Sequence, residues 1–166
     1  SPYAFSKLSC ESLGKMYSEI DKISFISLRF FTVYGPRQRP DLAIYKFFNC
    51  IINNKTISVY GDGKTYRDYT YIDDIINGVF NSIKIKSKFE IINLGNNRPI
   101  GILNLIKKIE KITKKKAKIE FLPLPKGDVP ATYADIKKAN KLFGFSPKID
   151  IIKGLKLFYE WYLKNH

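Results

Sequence analysis

A tyrosine and a lysine lie four residues apart at the start of a predicted helix, which begins S-P-Y-A-F-S-K. Ser1 is a good capping residue, and Pro2 at the first helical position loses no hydrogen bond. At this spacing Tyr3 and Lys7 share one face of the helix. A nearby ammonium and the partial positive charge of the helix N-terminus both favour the phenolate form of tyrosine. The pair is therefore a candidate proton-transfer site, and an ordinary solvated helix face is the alternative.

The Tyr-x-x-x-Lys spacing is not specific by itself, because a chain rich in both residues contains it by chance. Two further pairs begin at Tyr60 and Tyr133. The pair at Tyr60 spans a Gly-Asp-Gly turn, and the pair at Tyr133 crosses from a predicted loop into a helix. Only the pair at Tyr3 combines a cap, a proline and a following helical run.

Histidine and cysteine chemistry is largely excluded. The only histidine is His166, so histidine-based nucleophile systems, acid/base pairs and metal sites are not expected. Cys10 and Cys50 lie in apolar helical stretches and are predicted to be buried thiols of a reducing, cytoplasmic compartment. No apolar run approaches the length of a membrane span, about eighteen residues. The proton-transfer group of an enzyme with this sequence is therefore Tyr, Lys, Asp or Glu.

The positive charge is unevenly distributed. The net charge is +14, of which residues 1–83 carry +2 and residues 84–166 carry +12, mostly as lysine. A solvated lysine-rich surface explains this distribution, and a nucleic-acid-binding surface is the alternative. The lysines lack the interleaved aromatic residues of a strand-binding groove, so we expect no nucleic-acid partner.

Helices and strands alternate along the sequence, which indicates an α/β fold. Between residues 31 and 41 the pattern predicts a long loop, and Asp73 and Asp74 are predicted to cap a helix that ends near Ile83. The predicted helices span residues 2–20, 42–53, 73–83, 102–113, 135–143 and 151–164, and the predicted strands span residues 23–30, 57–60, 69–72, 89–94 and 117–122.

Arginines concentrate in the two loops expected at strand ends, where α/β sheets place their ligands. Arg37 and Arg39 lie in residues 31–41, and Arg67 lies in residues 61–69. The planar guanidinium fork binds phosphate or carboxylate through two hydrogen bonds. The alternative is an Arg–Asp pair that holds a loop together, for which Asp68 or Asp73 could serve.

Four segments together resemble the extended short-chain dehydrogenase/reductase family of nucleotide-sugar enzymes. They are S-P-Y-A-x-S-K, L-R-F-F-T-V-Y-G-P-R-x-R-P-D-L-A, Y-G-D-G-K-x-x-R-D-Y-T-Y-I-D-D-I and G-D-V-P-A-T-Y-A-D-I. The second and fourth look most like UDP-glucuronate 4-epimerases and related UDP-sugar 4-epimerases. The resemblance implies the C-terminal part of a Rossmann-type doubly wound sheet plus a small α/β substrate-binding domain. Residues 1–30 and 69–95 would contribute to the Rossmann-type core, and residues 31–68 and 96–166 mainly to substrate binding.

The resemblance also implies a chemistry. In the family, the residue matching Tyr3 removes a proton from a sugar hydroxyl while NAD accepts hydride from the same carbon. The residue matching Lys7 lowers the phenol pKa and contacts the nicotinamide ribose. Residues matching Phe30 and Phe31 lie beside the nicotinamide. Substrate contacts are implied for Thr32, Arg39, Tyr60, Arg67 and Asp128, with Arg67 on the diphosphate and Asp128 on the nucleotide ribose.

The glycine-rich turn that holds the dinucleotide pyrophosphate in this family has no counterpart in these residues. The N-terminal NAD-binding half is thus expected to be absent. The isolated chain is expected to bind NAD weakly or not at all, and to have no turnover. A UDP-sugar 4,6-dehydratase or decarboxylase of the same family stays an alternative. We also expect a UDP-sugar substrate and a homodimer through helix 2–20. No membrane partner is expected.

Overall fold

A computed structural model of the chain describes residues 1–125, 127 and 129–166. These residues form six helices and seven strands. In chain order the elements are α1 Pro2–Ile20, β1 Phe25–Phe30, β2 Thr32–Tyr34, α2 Ala43–Ile52, β3 Thr56–Tyr60, β4 Tyr66–Tyr71, α3 Ile72–Ser82, β5 Phe89–Leu94, β6 Pro99–Gly101, α4 Ile102–Thr113, β7 Lys118–Leu122, α5 Lys137–Phe143 and α6 Ile151–Asn165.

The strands form three small sheets. β1 pairs with β5 in parallel, in a register that runs from Phe25 opposite Phe89 to Phe30 opposite Leu94. β4 lies between β2, which is parallel to it, and β6, which is antiparallel. β3 and β7 form a separate parallel pair. Parallel strands connected through helices confirm the predicted α/β class.

Two apolar clusters stabilise the fold. One buries Ile92 and Leu94 of β5 together with Ile75 of α3. The larger cluster joins α2, α4 and α6 to the strands β2, β3 and β4. In that cluster Phe48 and Phe158 are fully buried, with ring centroids 5.2 Å apart. The large cluster therefore fixes the positions of β3 and β4.

Helix α1 packs on the β1–β5 sheet through a small residue. A side chain at Gly14 would overlap the ring of Phe25, so glycine permits this close approach. Most of the rest of α1 is exposed, and this includes Cys10. The prediction of a buried Cys10 was wrong, because its helix packs through Glu11, Gly14 and Ser18. Cys50 is buried in α2, as predicted.

Two local predictions were also wrong, and one strand was missed. The predicted loop of residues 31–41 contains β2, and β6 was not predicted, because three-residue strands are defined by pairing with β4 rather than by their own pattern. The predicted capping by Asp73 and Asp74 does not occur: Tyr71 is the N-cap residue of α3 and makes no side-chain cap hydrogen bond. Both acids lie in the first turn. The Asp74 carboxylate instead accepts the backbone N–H groups of Lys148 and Ile149.

Among the residues that the structure describes, no helix combines the length and the apolar character that crossing a bilayer requires.

Candidate active site

The start of α1 has the geometry that its sequence predicts. The Ser1 hydroxyl accepts the N–H of Ala4 at 3.2 Å and caps the helix. The Lys7 ammonium lies 5.4 Å from the centroid of the Tyr3 ring, a cation–π distance, so the two side chains share one side of the helix. Tyr3 is 72% exposed. Its phenol is thus accessible to a ligand and has a cation beside it.

A crevice of about 640 Å³ separates the first half of α1 from β1. Tyr3 and Lys7 line it from the helix, and Phe30 lines it from the strand. Phe30 is the last residue of β1 and is half exposed, so an aromatic face is available at the carboxyl end of the sheet. The structure therefore brings the two candidate catalytic residues and one candidate cofactor-binding residue to a single crevice.

An ion pair at the base of this crevice holds α1 against β1. The Arg29 guanidinium donates from Nε to Glu11 Oε1 at 2.7 Å and from Nη2 to Glu11 Oε2 at 2.6 Å. Glu11 is buried and lies one helical turn after Lys7, so the pair fixes how Tyr3 and Lys7 face the strand. The sequence analysis missed this pair. The signal was a single arginine in an otherwise uncharged strand, because a charged side chain requires a partner where the strand is packed.

The ion pair gives a testable dependence of stability on pH. The hydrogen bonds from Arg29, and then its charge, hold the pKa of the Glu11 carboxyl below its ordinary value against the opposing effect of burial. Because the folded pKa is the lower one, the stabilisation is complete above the unfolded value of about 4.3 and is lost as pH falls through the folded value. Glu11→Gln should lower the midpoint of thermal unfolding at pH 7 by about 2–4 °C.

Circular dichroism melts between pH 7 and pH 3 measure this difference, which should shrink towards the acid end. Glu19→Gln is the matched control. Glu19 is exposed on the same helix, and its Oε1 lies 3.9 Å from Lys15 Nζ, so it forms only a long surface ion pair. A difference between Glu11→Gln and the unsubstituted chain that stays constant down to pH 3 would contradict the role given to the pair.

The residues that follow β1 lie at the junction of two sheets. The N–H of Phe31 donates to the carbonyl of Leu94 at 3.1 Å, so this half-buried residue continues the pairing of β1 with β5. Thr32 then begins β2, opposite Tyr69 of β4. Phe31 and Thr32 therefore connect the sheet beside the crevice to the sheet that carries Arg67.

Arg67 lies in β4, and its guanidinium is oriented by main-chain oxygens. Nη1 donates to the carbonyls of Tyr66 and Val129, each at 2.9 Å. The sequence suggested Asp68 as an ion-pair partner for Arg67. In the structure, the Asp68 carboxylate accepts three backbone N–H groups instead. The Arg67 fork is thus held at the start of β4 by the segment that contains Val129.

Arg39 and Tyr60 do not line the crevice. Arg39 lies in the exposed loop before α2, and its Nη2 is 3.0 Å from Asp41 Oδ2. Tyr60 ends β3 and is 43% exposed. Asp128 lies outside the described residues. The described part of the site therefore forms two regions, the Tyr3 crevice and the Arg67 segment, joined through β2 and β4.

The tyrosine and lysine pair at the start of a helix on a parallel sheet, with an arginine at a neighbouring strand, is the arrangement that the resemblance to the short-chain dehydrogenase/reductase family implies. The chain belongs to the GDP-mannose 4,6 dehydratase family, whose sequence model matches residues 1–158.

The chain is also similar to curated proteins and to solved structures. An uncharacterized protein of Methanocaldococcus jannaschii is 47% identical, over 98% of this chain and 50% of its own length. A UDP-glucuronate 4-epimerase of Thermodesulfobacterium geofontis is 44% identical, over 99% of this chain and 51% of its own length. The crystal structure of UDP-glucuronic acid 4-epimerase from Bacillus cereus in complex with UDP-glucuronic acid and NAD is 39% identical. It superimposes with a TM-score of 0.94 over 100% of this chain and 54% of that chain.

The chain thus spans about half the length of the relatives that it matches. The superposition confirms the predicted fold, the C-terminal part of a Rossmann-type epimerase structure. The match to the family model confirms the predicted resemblance of the sequence to this family.

Proposed function

We propose that this chain supplies the proton-transfer and substrate-binding half of a UDP-sugar 4-epimerase, and that the substrate is UDP-glucuronate. The observation that carries the proposal is the Tyr3 and Lys7 pair, which opens onto a crevice in a chain 44% identical to a UDP-glucuronate 4-epimerase.

The proposed reaction uses Tyr3 as the acid/base. Tyr3 Oη removes the proton from the hydroxyl on C4 of the sugar, and the C4–H bond breaks with its electron pair. NAD, when bound, would supply the hydride acceptor, and the 4-keto sugar would turn over in the site so that the hydride returns to its other face. Tyr3 then gives the proton back to the C4 oxygen, so neither protons nor electrons are consumed overall. The Lys7 ammonium lies beside the Tyr3 ring, and both side chains line the same crevice.

The residues around the crevice suit the nicotinamide end of NAD. Lys7 Nζ is a donor for ribose hydroxyls, and the exposed ring of Phe30 offers an apolar face to a flat heterocycle. We assign Tyr3, Lys7, Phe30 and Phe31 to this part of the cofactor. The pyrophosphate end needs backbone N–H groups of a glycine-rich turn, which this sequence does not contain.

Substrate binding is assigned to the second region of the site. Arg67 is proposed to bind the diphosphate, because the carbonyls of Tyr66 and Val129 orient its guanidinium, and a planar guanidinium suits phosphate oxygens. Thr32 and Arg39 are proposed to contact the sugar or its carboxylate. Tyr60 is proposed to lie near the uridine and Asp128 near the nucleotide ribose.

We retain the predicted division of the chain, with residues 1–30 and 69–95 in the nucleotide-binding core and the others mainly in substrate binding. A homodimer through α1 is also proposed, supported by the exposed apolar residues Phe5, Leu8 and Leu13 on that helix. Sedimentation equilibrium of the fused enzyme described below should give twice the mass of one chain, and Leu13→Glu should restore the single mass. A single mass without the substitution would exclude this dimer.

The proposed function is tested by fusing the N-terminal half of the Thermodesulfobacterium geofontis epimerase to Ser1, in the register of the natural enzyme. This fused enzyme should convert UDP-glucuronate into its C4 epimer with no net consumption of NAD, as measured by chromatography of the products. The 166-residue chain alone is the matched control and should show no turnover. A fused enzyme that binds NAD but only dehydrates or decarboxylates UDP-glucuronate would contradict the proposal.

A further inference from the structure

Asp68 is a fully buried carboxylate whose oxygens are occupied by main-chain donors. Its exposed fraction is 0%. Oδ1 accepts the N–H of Asn96, and Oδ2 accepts the N–H groups of Asn97 and Ala134, all at 2.9 Å. A buried charge is costly unless it is well hydrogen-bonded, and these three bonds supply that compensation. The carboxylate therefore joins three chain segments at one point.

The first segment runs beside β4 and includes Ala134. The Tyr66 N–H donates to the carbonyl of Pro130, and the Thr132 N–H donates to the carbonyl of Tyr66, as in a parallel ladder. A continued ladder would direct the Ala134 N–H to the main-chain carbonyl of Asp68. It donates instead to the Asp68 side chain. The carboxylate thus holds the segment where main-chain pairing stops.

The same segment orients Arg67. Val129 immediately precedes Pro130, and its carbonyl accepts from the Arg67 guanidinium. Because side chains alternate along a strand, Arg67 and Asp68 project from opposite faces of β4. Asp68 thus holds the segment at Ala134, and the Arg67 guanidinium contacts the same segment at Val129.

The other two donors come from the loop that follows β5. Asn96 also donates through its side chain to the carbonyl of Tyr69 at 3.3 Å. Gly95 lies so close to Ala134 and Asp68 that a side chain there would overlap them, and it would also press on Phe31. This loop therefore fixes the distance between the sheet beside the Tyr3 crevice and the start of β4.

We propose that Asp68 is a positioning residue, whose carboxylate sets the Arg67 guanidinium for the diphosphate of the nucleotide sugar. The inference rests on the proposed function of Arg67. Asparagine is the sharpest replacement, because it keeps the shape but places an amide N–H₂ against a buried N–H donor.

Isothermal titration of UDP into the 166-residue chain measures the effect. Asp68→Asn should weaken UDP binding by about tenfold or more, since a misplaced cation loses a charged hydrogen bond. The matched control is Asp74→Asn. Asp74 is also buried and accepts two backbone N–H groups, from Lys148 and Ile149, but it holds a different segment. It should lower stability while UDP affinity changes by less than about threefold. Equal losses of affinity in both variants would overturn the proposal.

A second measurement covers the case in which Asp68→Asn does not fold. In the unsubstituted chain, UDP should slow hydrogen exchange at the amides of Asn96, Asn97 and Ala134, as observed by NMR. Unchanged exchange rates in a chain that binds UDP would overturn the proposal.

A third measurement separates this inference from the function of the site. In a crystal structure of Asp68→Asn, Arg67 Nη1 should no longer contact the Val129 carbonyl. If that contact stays, the inference is wrong whether or not UDP binds. If the unsubstituted chain binds no UDP, the proposed function of Arg67 is contradicted, and the Arg67 contact in the variant still decides the role of Asp68.

Discussion

Replacing Tyr3 with phenylalanine in the fused enzyme should reduce the turnover number by about 10²–10⁴-fold, the usual contribution of a positioned acid/base. The substitution removes only the phenol oxygen. Tyr3 is 72% exposed and its ring lies beside the Lys7 ammonium, so phenylalanine should keep the same place on the helix. The KM for UDP-glucuronate should therefore change little, and the loss should be confined to kcat.

Tyr17→Phe provides the matched control for this experiment. Tyr17 also lies on α1 and is 47% exposed, but it does not line the crevice. Its substitution should leave kcat and KM unchanged. Unaltered turnover in the Tyr3→Phe enzyme would remove Tyr3 from the reaction, and a rise in KM alone would make it a binding residue.

Replacing Arg67 with alanine should weaken UDP binding to the chain by about 10- to 150-fold, equivalent to a loss of about 1.5–3 kcal/mol for a charged hydrogen bond. The arginine is half buried and pre-oriented by the carbonyls of Tyr66 and Val129, so little side-chain entropy is lost when it binds phosphate. Isothermal titration at two salt concentrations measures the effect, since a fixed cation close to its ligand is screened less than a surface charge.

Two variants bracket this result. Lys64→Ala removes an exposed cation from the neighbouring turn, where Lys64 pairs with Asp62, and it should change UDP affinity by less than about twofold. Arg67→Lys keeps the charge but loses the planar fork, so its affinity should fall between those of the alanine variant and the unsubstituted chain. Equal affinities for the chain and its Arg67→Ala variant would exclude Arg67 from the nucleotide site.

The longer elements were predictable because their own sequences specify them. The cap and proline at Ser1 and Pro2 mark the start of α1, and β5 and α4 begin and end where their patterns do. β2 and β6 were not predictable, because each has three residues and is defined by the backbone of β4. Burial on α1 was misjudged at Cys10 for a related reason: its apolar residues do not mark the face that packs on the sheet.

The site divides in the same way. Tyr3 and Lys7 are close in sequence, so helical spacing alone places them together. Glu11 and Arg29 lie on different elements, and no local pattern shows that a helix turn and a strand will meet there. Asp68 is harder still to predict, because its three donors come from positions 28 to 66 residues further along the chain. In the sequence, an aspartate beside an arginine suggested only an ion pair between Asp68 and Arg67.

The aromatic cluster between α2 and α6 decides what an optical experiment on this protein can report. The chain has a single indole, on Trp161, whose ring centroid lies 5.5 Å from Phe158 and 6.4 Å from Tyr45. Its emission will follow the docking of the last helix onto the second. It will not report ligand binding at the phenol of Tyr3, because Tyr3 lies on α1, which packs on the β1–β5 sheet. A quenching titration with a nucleotide would therefore need a fluorophore placed on α1, and the exposed thiol of Cys10 offers the attachment point.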